Sequence, residues 1–275
     1  MSISAKDVNE LRKATGSGMM DCKKALTESN GDMDAAIDWL RKKGQKISDK
    51  RADRDAKEGV VIAKTTSDGK SGIIVNLSCE TDFVANSDDF VNFAQAIADL
   101  AATDRLGSKE DVLNAELNGT TIGEGVLNLV GKIGEKIEIA NYEKVDAEFV
   151  VSYIHAGYKI GVLIPFNKAI DEAIGKDIAM QVAAMRPIAT DEDEVPAEVI
   201  AKEMEIGKEQ AMNEGKPENI IEKIAQGKVK KFLKENTLLN QQFVKDGSKT
   251  IREYLKGVDN ELQVLGFKRV ATGDN

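Results

Sequence analysis

Gly59-Val60-Val61-Ile62-Ala63-Lys64, then Ser67-Asp68-Gly69-Lys70, then Ser71-Gly72-Ile73-Ile74-Val75-Asn76-Leu77 is the stretch that decides the fold. Two β-branched runs flank Asp68-Gly69, a pair suited to a tight two-residue turn, so the spacing predicts an antiparallel hairpin. The second run continues through Cys79-Glu80-Thr81-Asp82-Phe83-Val84-Ala85-Asn86. Ser87 then stands where it can cap a helix in which Phe90, Phe93, Ala94, Ile97, Leu100 and Ala101 form one apolar stripe. A hairpin feeding a helix of this kind belongs to an α+β fold with antiparallel sheets.

The same order recurs downstream. Residues 149–154 and 159–166 read as strands paired around Gly157, and a helix bearing Ile178, Val182 and Met185 follows, which marks an internal duplication. Between the two copies, residues 123–130 read as helix, Gly131-Lys132-Ile133-Gly134 as a turn and Ile137-Glu138-Ile139 as strand.

Residues 4–43 read as three short helices. Ser4 caps the first, which carries Val8, Leu11 and Ala14 and ends at Gly16; Gly18 opens the second, with Met19, Met20, Ala25 and Leu26. After Asn30-Gly31-Asp32, Asp32 caps a third helix whose Met33, Ala36, Ile37 and Leu40 share a face and which ends before Gly44. Residues 45–58 alternate acid and base without an apolar face, as a solvated linker or an exposed helix would. Farther on, 196–213 and 217–226 read as two helices joined by Glu214-Gly215-Lys216, each opened by a proline. They would form an antiparallel hairpin with Ile200, Met204 and Ala211 facing Ile220, Ile221 and Ile224. Helix continues over 228–235, Ser248 is placed to cap another short helix, and 260–270 reads as strand. The expected domains are 1–44, a linker 45–58, core subdomains 59–145 and 146–190 with 228–275, and the hairpin insertion 191–227.

Composition narrows the function. The 275 residues are 41% hydrophobic and 31% charged, the profile of a globular protein with no run of membrane-spanning length. A net charge of −9 opposes a role built on neutralising nucleic-acid phosphates and favours a protein partner. Met1-Ser2-Ile3-Ser4-Ala5-Lys6-Asp7 lacks a secretory apolar core and carries an acid, so the expected location is cytoplasmic. Cys22 and Cys79 are far apart with no CxxC motif or Cys/His cluster, so reduced thiols are expected and no metal site. No GxxxxGK[ST] or GxGxxG loop is present, so no nucleotide cofactor is expected either.

In this order the residues resemble the elongation factor Ts family. Leu11-Arg12-Lys13-Ala14-Thr15-Gly16-Ser17-Gly18-Met19-Met20-Asp21-Cys22-Lys23-Lys24-Ala25-Leu26 is similar to its amino-terminal signature, and Thr81-Asp82-Phe83-Val84-Ala85-Asn86 to its central one. Lys132-Ile133-Gly134-Glu135, Ser152-Tyr153-Ile154-His155, Ile160-Gly161-Val162-Leu163, and Phe243-Val244 before Ser248-Lys249-Thr250 match in collinear order. The resemblance implies a three-helix module like a ubiquitin-associated domain, a core of two related subdomains, and an inserted coiled-coil hairpin used for dimerisation. It also implies a guanine-nucleotide exchange factor for elongation factor Tu that performs no bond chemistry. Members of the family continue past the last strand into a carboxy-terminal helix, whereas this chain stops at Gly273-Asp274-Asn275, so contacts of that helix are not carried over.

Site residues carry over one by one. Asp82-Phe83 matches the pair in which the Phe wedges between two helices of the GTPase and the Asp helps disturb the magnesium site, within Thr81, Asp82, Phe83 and Val84. From the residues alone, a Phe83 folded onto its own core is the alternative. Arg12, Met19, Met20 and Lys23 match the face that grips a helix of the GTPase; the residues alone would also place one of the two methionines in the core. Ile133 and Gly134 match a further contact and would otherwise be a plain turn. His155 and Val244 match contacts to a far domain of the GTPase, although Lys245 stands where an apolar residue is expected. Two rival classes remain. One is an adaptor acting through the amino-terminal bundle alone. The other is a thiol enzyme using Cys79 with His155, which requires a depressed thiol pKa.

Overall fold

The computed structural model describes residues 3–274; Met1, Ser2 and Asn275, quoted above at the two termini, lie outside the described residues. The chain forms two compact units, Met1–Lys144 with Ile154–Gly161 and Val270–Asn275, and Val145–Tyr153 with Val162–Arg269.

The first unit opens with α1 (Ala5–Thr15), α2 (Met19–Glu28) and α3 (Met33–Lys50). Ser4 Oγ accepts from Asp7 N at 3.2 Å while Asp7 Oδ2 accepts from Ser4 N at 3.0 Å, a reciprocal cap that fixes the start of α1. Gly16, at φ +68°, ends it in the left-handed region that glycine enters without a Cβ clash. The inward faces bury Val8, Leu11, Cys22, Ala25, Leu26, Ala36 and Leu40.

Contrary to expectation, α3 does not stop before Gly44 but runs through it to Lys50. Here the glycine permits a close crossing. A Cβ on Gly44 would overlap the carbonyl oxygen of Leu127, and one on Gly131 would stand 3.4 Å from Gly44 Cα. Both belong to helix interiors, because α7 (Ile122–Ile133) also runs through the residues expected to be a turn and ends only at Gly134, φ +82°. The stretch after Gly44 is not devoid of apolar contacts either: Ile47 packs on the unit's main core and Ala56 is buried.

That core is built on β1 (Glu58–Thr65) and β2 (Ser71–Cys79), paired antiparallel with Ile62 opposite Val75, and on β5 (Glu138–Asp146) at the other side of β2. The connection is longer than a two-residue turn. Thr66 N still donates to Ser71 O, and the Asp68 carboxylate closes the four residues between by accepting from Thr66 Oγ1 at 2.6 Å and Lys70 N at 3.1 Å. After the short α4 (Asp82–Ala85), α5 (Asp88–Thr103) lays Phe90, Ala94, Ile97, Ala98 and Ala101 into the core, each fully buried. Phe90 contributes about 1.5–3 kcal/mol by leaving water. Ser87 stands at the cap position but donates to Val84 O at 2.8 Å, tying α5 to α4. Next come α6 (Lys109–Asn114) and the hairpin β3 (Glu116–Leu117) with β4 (Thr120–Thr121), which leads into α7.

The second unit carries β6 (Phe149–Ile154) and β7 (Ile160–Phe166) in a sheet ordered β10-β7-β6, with α8 (Glu172–Met185) laid so close that a Cβ on Gly175 would overlap Val151. α9 (Ala197–Asn213) and α10 (Glu218–Asn236) form the helical hairpin. Its seam is Gly207 and Ala211 against Ile221, Ala225 and Val229, with Gly207 within 3.1 Å of Ala225 Cα for any added Cβ, while Ile220 is exposed. The expected seam included Ala211 and Ile221 but omitted Gly207 and Ala225, which set the close approach. β8 (Gln242–Phe243) and β9 (Asp246–Thr250) follow, then α11 (Ile251–Val258). Thr250, not Ser248, caps α11, because Glu253 lies where it completes a capping box: its Oε2 accepts from Thr250 N at 2.7 Å. The expected strand over 260–270 reduces to β10 (Lys268–Ala271). Gly266, at φ +147°, interrupts it, and Val264 contributes a single bridge to Phe166.

Alanine at Gly44 tests the helix crossing. Intrinsic propensity favours Ala over Gly inside a helix by about 1 kcal/mol. The overlap with Leu127 is expected to reverse that sign and cost about 1–3 kcal/mol net, read as a lower midpoint in urea unfolding followed by circular dichroism. A raised midpoint would contradict the crossing.

Candidate functional site

Between the end of β2 at Cys79 and the start of α4 at Asp82, the backbone leaves the sheet. Its two N–H groups, of Glu80 and Thr81, both donate to Glu135 Oε2 at 3.1 Å, and Thr81 Oγ1 donates to Glu135 Oε1 at 2.7 Å. Glu80 returns the arrangement: its Oε1 accepts from Lys136 N at 2.6 Å. Arg51, one residue past α3, donates to both Glu80 oxygens at 2.6 and 2.8 Å, and Lys136 Nζ donates to Ala52 O at 3.0 Å. Three chain segments, the ends of α3, β2 and α7, are thereby fastened at one point.

The Glu80 side chain is only 11% exposed. Burial pushes its carboxyl up, but the Lys136 N–H and the Arg51 and Arg54 guanidiniums outweigh that and hold it below the usual carboxylate value.

On this anchor stands α4, a four-residue helix capped by Thr81, whose Oγ1 accepts from Val84 N at 3.5 Å. Ala85 is buried and Val84 packs on the core, so the opposite side of the turn faces water with Asp82 and Phe83. Phe83 is 86% exposed, the highest value for any large hydrophobic among the described residues. A Phe83 folded back onto its own core is therefore excluded.

The amino-terminal helices present Arg12, Met19, Met20 and Lys23 to solvent. Neither methionine is core: Met19 is 56% and Met20 74% exposed, because Cys22, Ala25 and Leu26 occupy the inward face of α2. A shallow hollow lined by Arg12, Gly16, Met19 and Lys132 brings this face beside the end of α7, where Lys132 is held by Asp89 at 2.6 Å. There Ile133 is half-buried and is the last helical residue, and Gly134 is the left-handed cap. One turn of α7 thus adjoins the methionine face, while the next residue, Glu135, anchors the Phe83 turn.

His155 is exposed and precedes the turn Ala156–Tyr158, its N–H donating to Ile160 O at 2.9 Å. In the second unit Val244 is 49% exposed at the turn between β8 and β9. Fully buried Gln181 holds this turn, its Oε1 accepting from Val244 N at 2.9 Å and its Nε2 donating to Gln242 O at 3.1 Å. Phe243 stacks on Tyr254 at 4.5 Å between ring centres, and Lys245 pairs with Asp177.

The thiol-enzyme alternative fails on Cys79. The sulfur is buried, and burial, reinforced by the Glu135 charge, pushes its thiol up to about 12, the opposite of what a nucleophile needs. Among the described residues no cluster of His, Cys, Asp or Glu could hold a metal ion, and no helix is long and apolar enough to cross a membrane. The residues that sequence reasoning missed are Glu80, Glu135, Arg51 and Gln181. Their partners lie far along the chain, 54 residues in the case of Thr81 and Glu135, so no local spacing marks them.

A family model described as elongation factor TS matches residues 80–274. An elongation factor Ts of Christiangramia forsetii is 50% identical over 98% of this chain and 99% of its own length. That of Amoebophilus asiaticus is 50% identical over 99% and 100%, and that of Flavobacterium psychrophilum 49% identical over 99% of each.

The Glu80 anchor makes acid stability testable. Because the folded protein holds this carboxyl low, its contribution is present above the unfolded value near 4.5 and is lost as the pH falls through the folded value. Glu80→Gln is expected to cost about 1–3 kcal/mol at pH 7 in urea unfolding and progressively less below pH about 4. An identical deficit at pH 7 and pH about 3 would contradict the charged anchor.

Proposed function

The chain belongs to the elongation factor Ts family, and we propose that it is the guanine-nucleotide exchange factor of elongation factor Tu, docking on the GDP-bound GTPase and loosening its magnesium and phosphate site. GDP then leaves and GTP enters during translation elongation, in the cytoplasm, without bond chemistry, cofactor, nucleic acid or membrane. The observation that carries the reading is Phe83, 86% exposed on a turn that its neighbours fix in place. An aromatic ring presented to solvent on a turn that the scaffold holds in place is suited to push into a partner.

Asp82 and Phe83, with Thr81 and Val84, form the part that disturbs the magnesium site in this reading. Arg12, Met19, Met20 and Lys23 grip a helix of the GTPase, Ile133 and Gly134 make a further contact, and His155 and Val244 touch its far domain. The exposed methionines suit an adaptable contact face. The domain plan is kept as part of the proposal with its bounds moved to the helix ends: a ubiquitin-associated-like module closed by α3, two core subdomains, and a coiled-coil hairpin of α9 and α10 through which two copies pair.

A GTPase holds its nucleotide through phosphate-loop amides, a lysine and magnesium. If this protein binds best to the nucleotide-free form, linkage requires each ligand to weaken the other by the same factor, so release follows from docking energy alone. Magnitudes divide the work. Accelerating release by roughly four powers of ten takes about 5.5 kcal/mol, whereas burying one Phe supplies about 1.5–3 kcal/mol. Phe83 is one contributor, and the loss of magnesium contacts and strain through the other docking surfaces supply the rest.

The test is stopped-flow release of a fluorescent GDP from elongation factor Tu. The native protein is expected to accelerate release by several powers of ten, and Phe83→Ala to forfeit roughly 10- to 150-fold of that. No acceleration by the native protein would end the exchange reading, and equal rates for the two proteins would remove Phe83 from it.

A further inference from the structure

We propose that Glu135 is the positioning residue for Phe83: its carboxylate sets the angle of the α4 turn, and without it the aromatic ring samples orientations that do not engage a partner. The inference rests on the exchange reading above and identifies which side chain makes the Phe83 turn rigid.

Three facts lead to it. First, α4 has four residues, fewer than helix formation needs to sustain itself, so its direction must be imposed from outside. Second, the Glu135 side chain reaches both backbone N–H groups feeding α4, together with the hydroxyl that caps it, with bonds of 3.1, 3.1 and 2.7 Å. One carboxylate accepting three donors from two consecutive residues fixes that peptide against rotation, and the charge strengthens each bond. Third, Glu135 follows the left-handed cap Gly134 and precedes Lys136, whose N–H is accepted by Glu80, so the carboxylate is itself held by the end of α7. Phe83 makes none of these bonds. Its placement is inherited.

The same chain of contacts joins two regions assigned to docking. Ile133 and Gly134 are the residues just before Glu135, and Thr81 to Val84 are the residues it anchors. A partner pressing on the end of α7 and a partner receiving Phe83 therefore act on one rigid piece.

The experiment is a double-mutant cycle in the same nucleotide-release assay, using the full chain. Glu135→Ala is expected to lower the maximal release rate by about tenfold, and by no more than Phe83→Ala does. Placed on top of Phe83→Ala, it is expected to cost less than about twofold, because a residue acting through Phe83 has nothing left to position. Glu135→Gln, whose amide oxygen can accept both N–H bonds while its NH2 donates to Thr81 Oγ1, is expected to recover most of the rate. Equal losses from Glu135→Ala in the two backgrounds would overturn the proposal, as would a native rate for Glu135→Ala.

Amide hydrogen exchange of the free protein supplies a readout that does not depend on the GTPase. In Glu135→Ala the Glu80 and Thr81 amides are expected to exchange at least tenfold faster, while the Val75 amide within the β1–β2 ladder is unchanged. Unaltered exchange at Glu80 and Thr81 would overturn the positioning role even if the exchange reading holds. If the native protein fails to release GDP while those amides respond as expected, it is the exchange reading that fails, and the assignment of Glu135 as a positioner for docking goes with it.

Discussion

At the end of β2 the chain must leave a sheet and start a helix within two residues, and the groups stranded by that change are satisfied by an exchange of carboxylates: Glu135 takes the N–H groups of Glu80 and Thr81, and Glu80 takes that of Lys136. Hydrogen bonds to charged groups are worth about 1.5–3 kcal/mol each, a large share of the stability of any domain. The exchange succeeds because α7 ends on Gly134, which turns the chain so that Glu135 points back at the strand end. Arg51 then closes the group by neutralising Glu80, which a half-buried acid needs if its charge is to survive burial. Among the described residues the most exposed large hydrophobic, Phe83, is thus carried on a turn hydrogen-bonded to the end of another helix.

Packing in the first unit supports the same point from a distance. α3 delivers Arg51, and its course is set by the Gly44–Gly131 crossing, where a Cβ on Gly44 would overlap the Leu127 carbonyl oxygen. α7 delivers Glu135, and its course is set by that crossing and by Ile122, Val126 and Val130 in the core. A change at the crossing would therefore shift both charged partners of the Phe83 turn. The small residues and the ionic anchor form one mechanical arrangement, linking helix packing to the presentation of a side chain that touches neither.

Much of this was legible in the sequence and some was not, for definite reasons. The hairpin around Asp68-Gly69, the caps Ser4 and Asp32, the stop at Gly16 and the apolar stripe of α5 were readable because each depends on neighbours within a few residues. Gly44 and Gly131 read as stop and turn but lie inside helices, because glycine serves both to end a helix and to admit another, and only the partner helix distinguishes the two. Ser248 and Thr250 look alike as caps, and the deciding signal is the acid three residues after Thr250, Glu253. At the site, the collinear family matches picked out Phe83, Met19 and Met20, and all three stand in solvent. Glu135 stood within a matched motif, yet its task was invisible, since an acid after a helix cap reads as a solvated residue until the fold places Thr81 against it.

In the exchange reading proposed above, the exposed turn meets the partner and the anchor holds it in place. An aromatic held rigidly loses little entropy on docking, so more of its burial energy is available to distort the partner. The most direct measurement is photo-crosslinking with benzoylphenylalanine at position 83 in a mixture with nucleotide-free elongation factor Tu, followed by peptide mapping. The account predicts adducts confined to the helices that flank the magnesium and phosphate site, suppressed when GDP and magnesium are added. Adducts elsewhere on the GTPase, or none in excess of those to an unrelated protein, would contradict it.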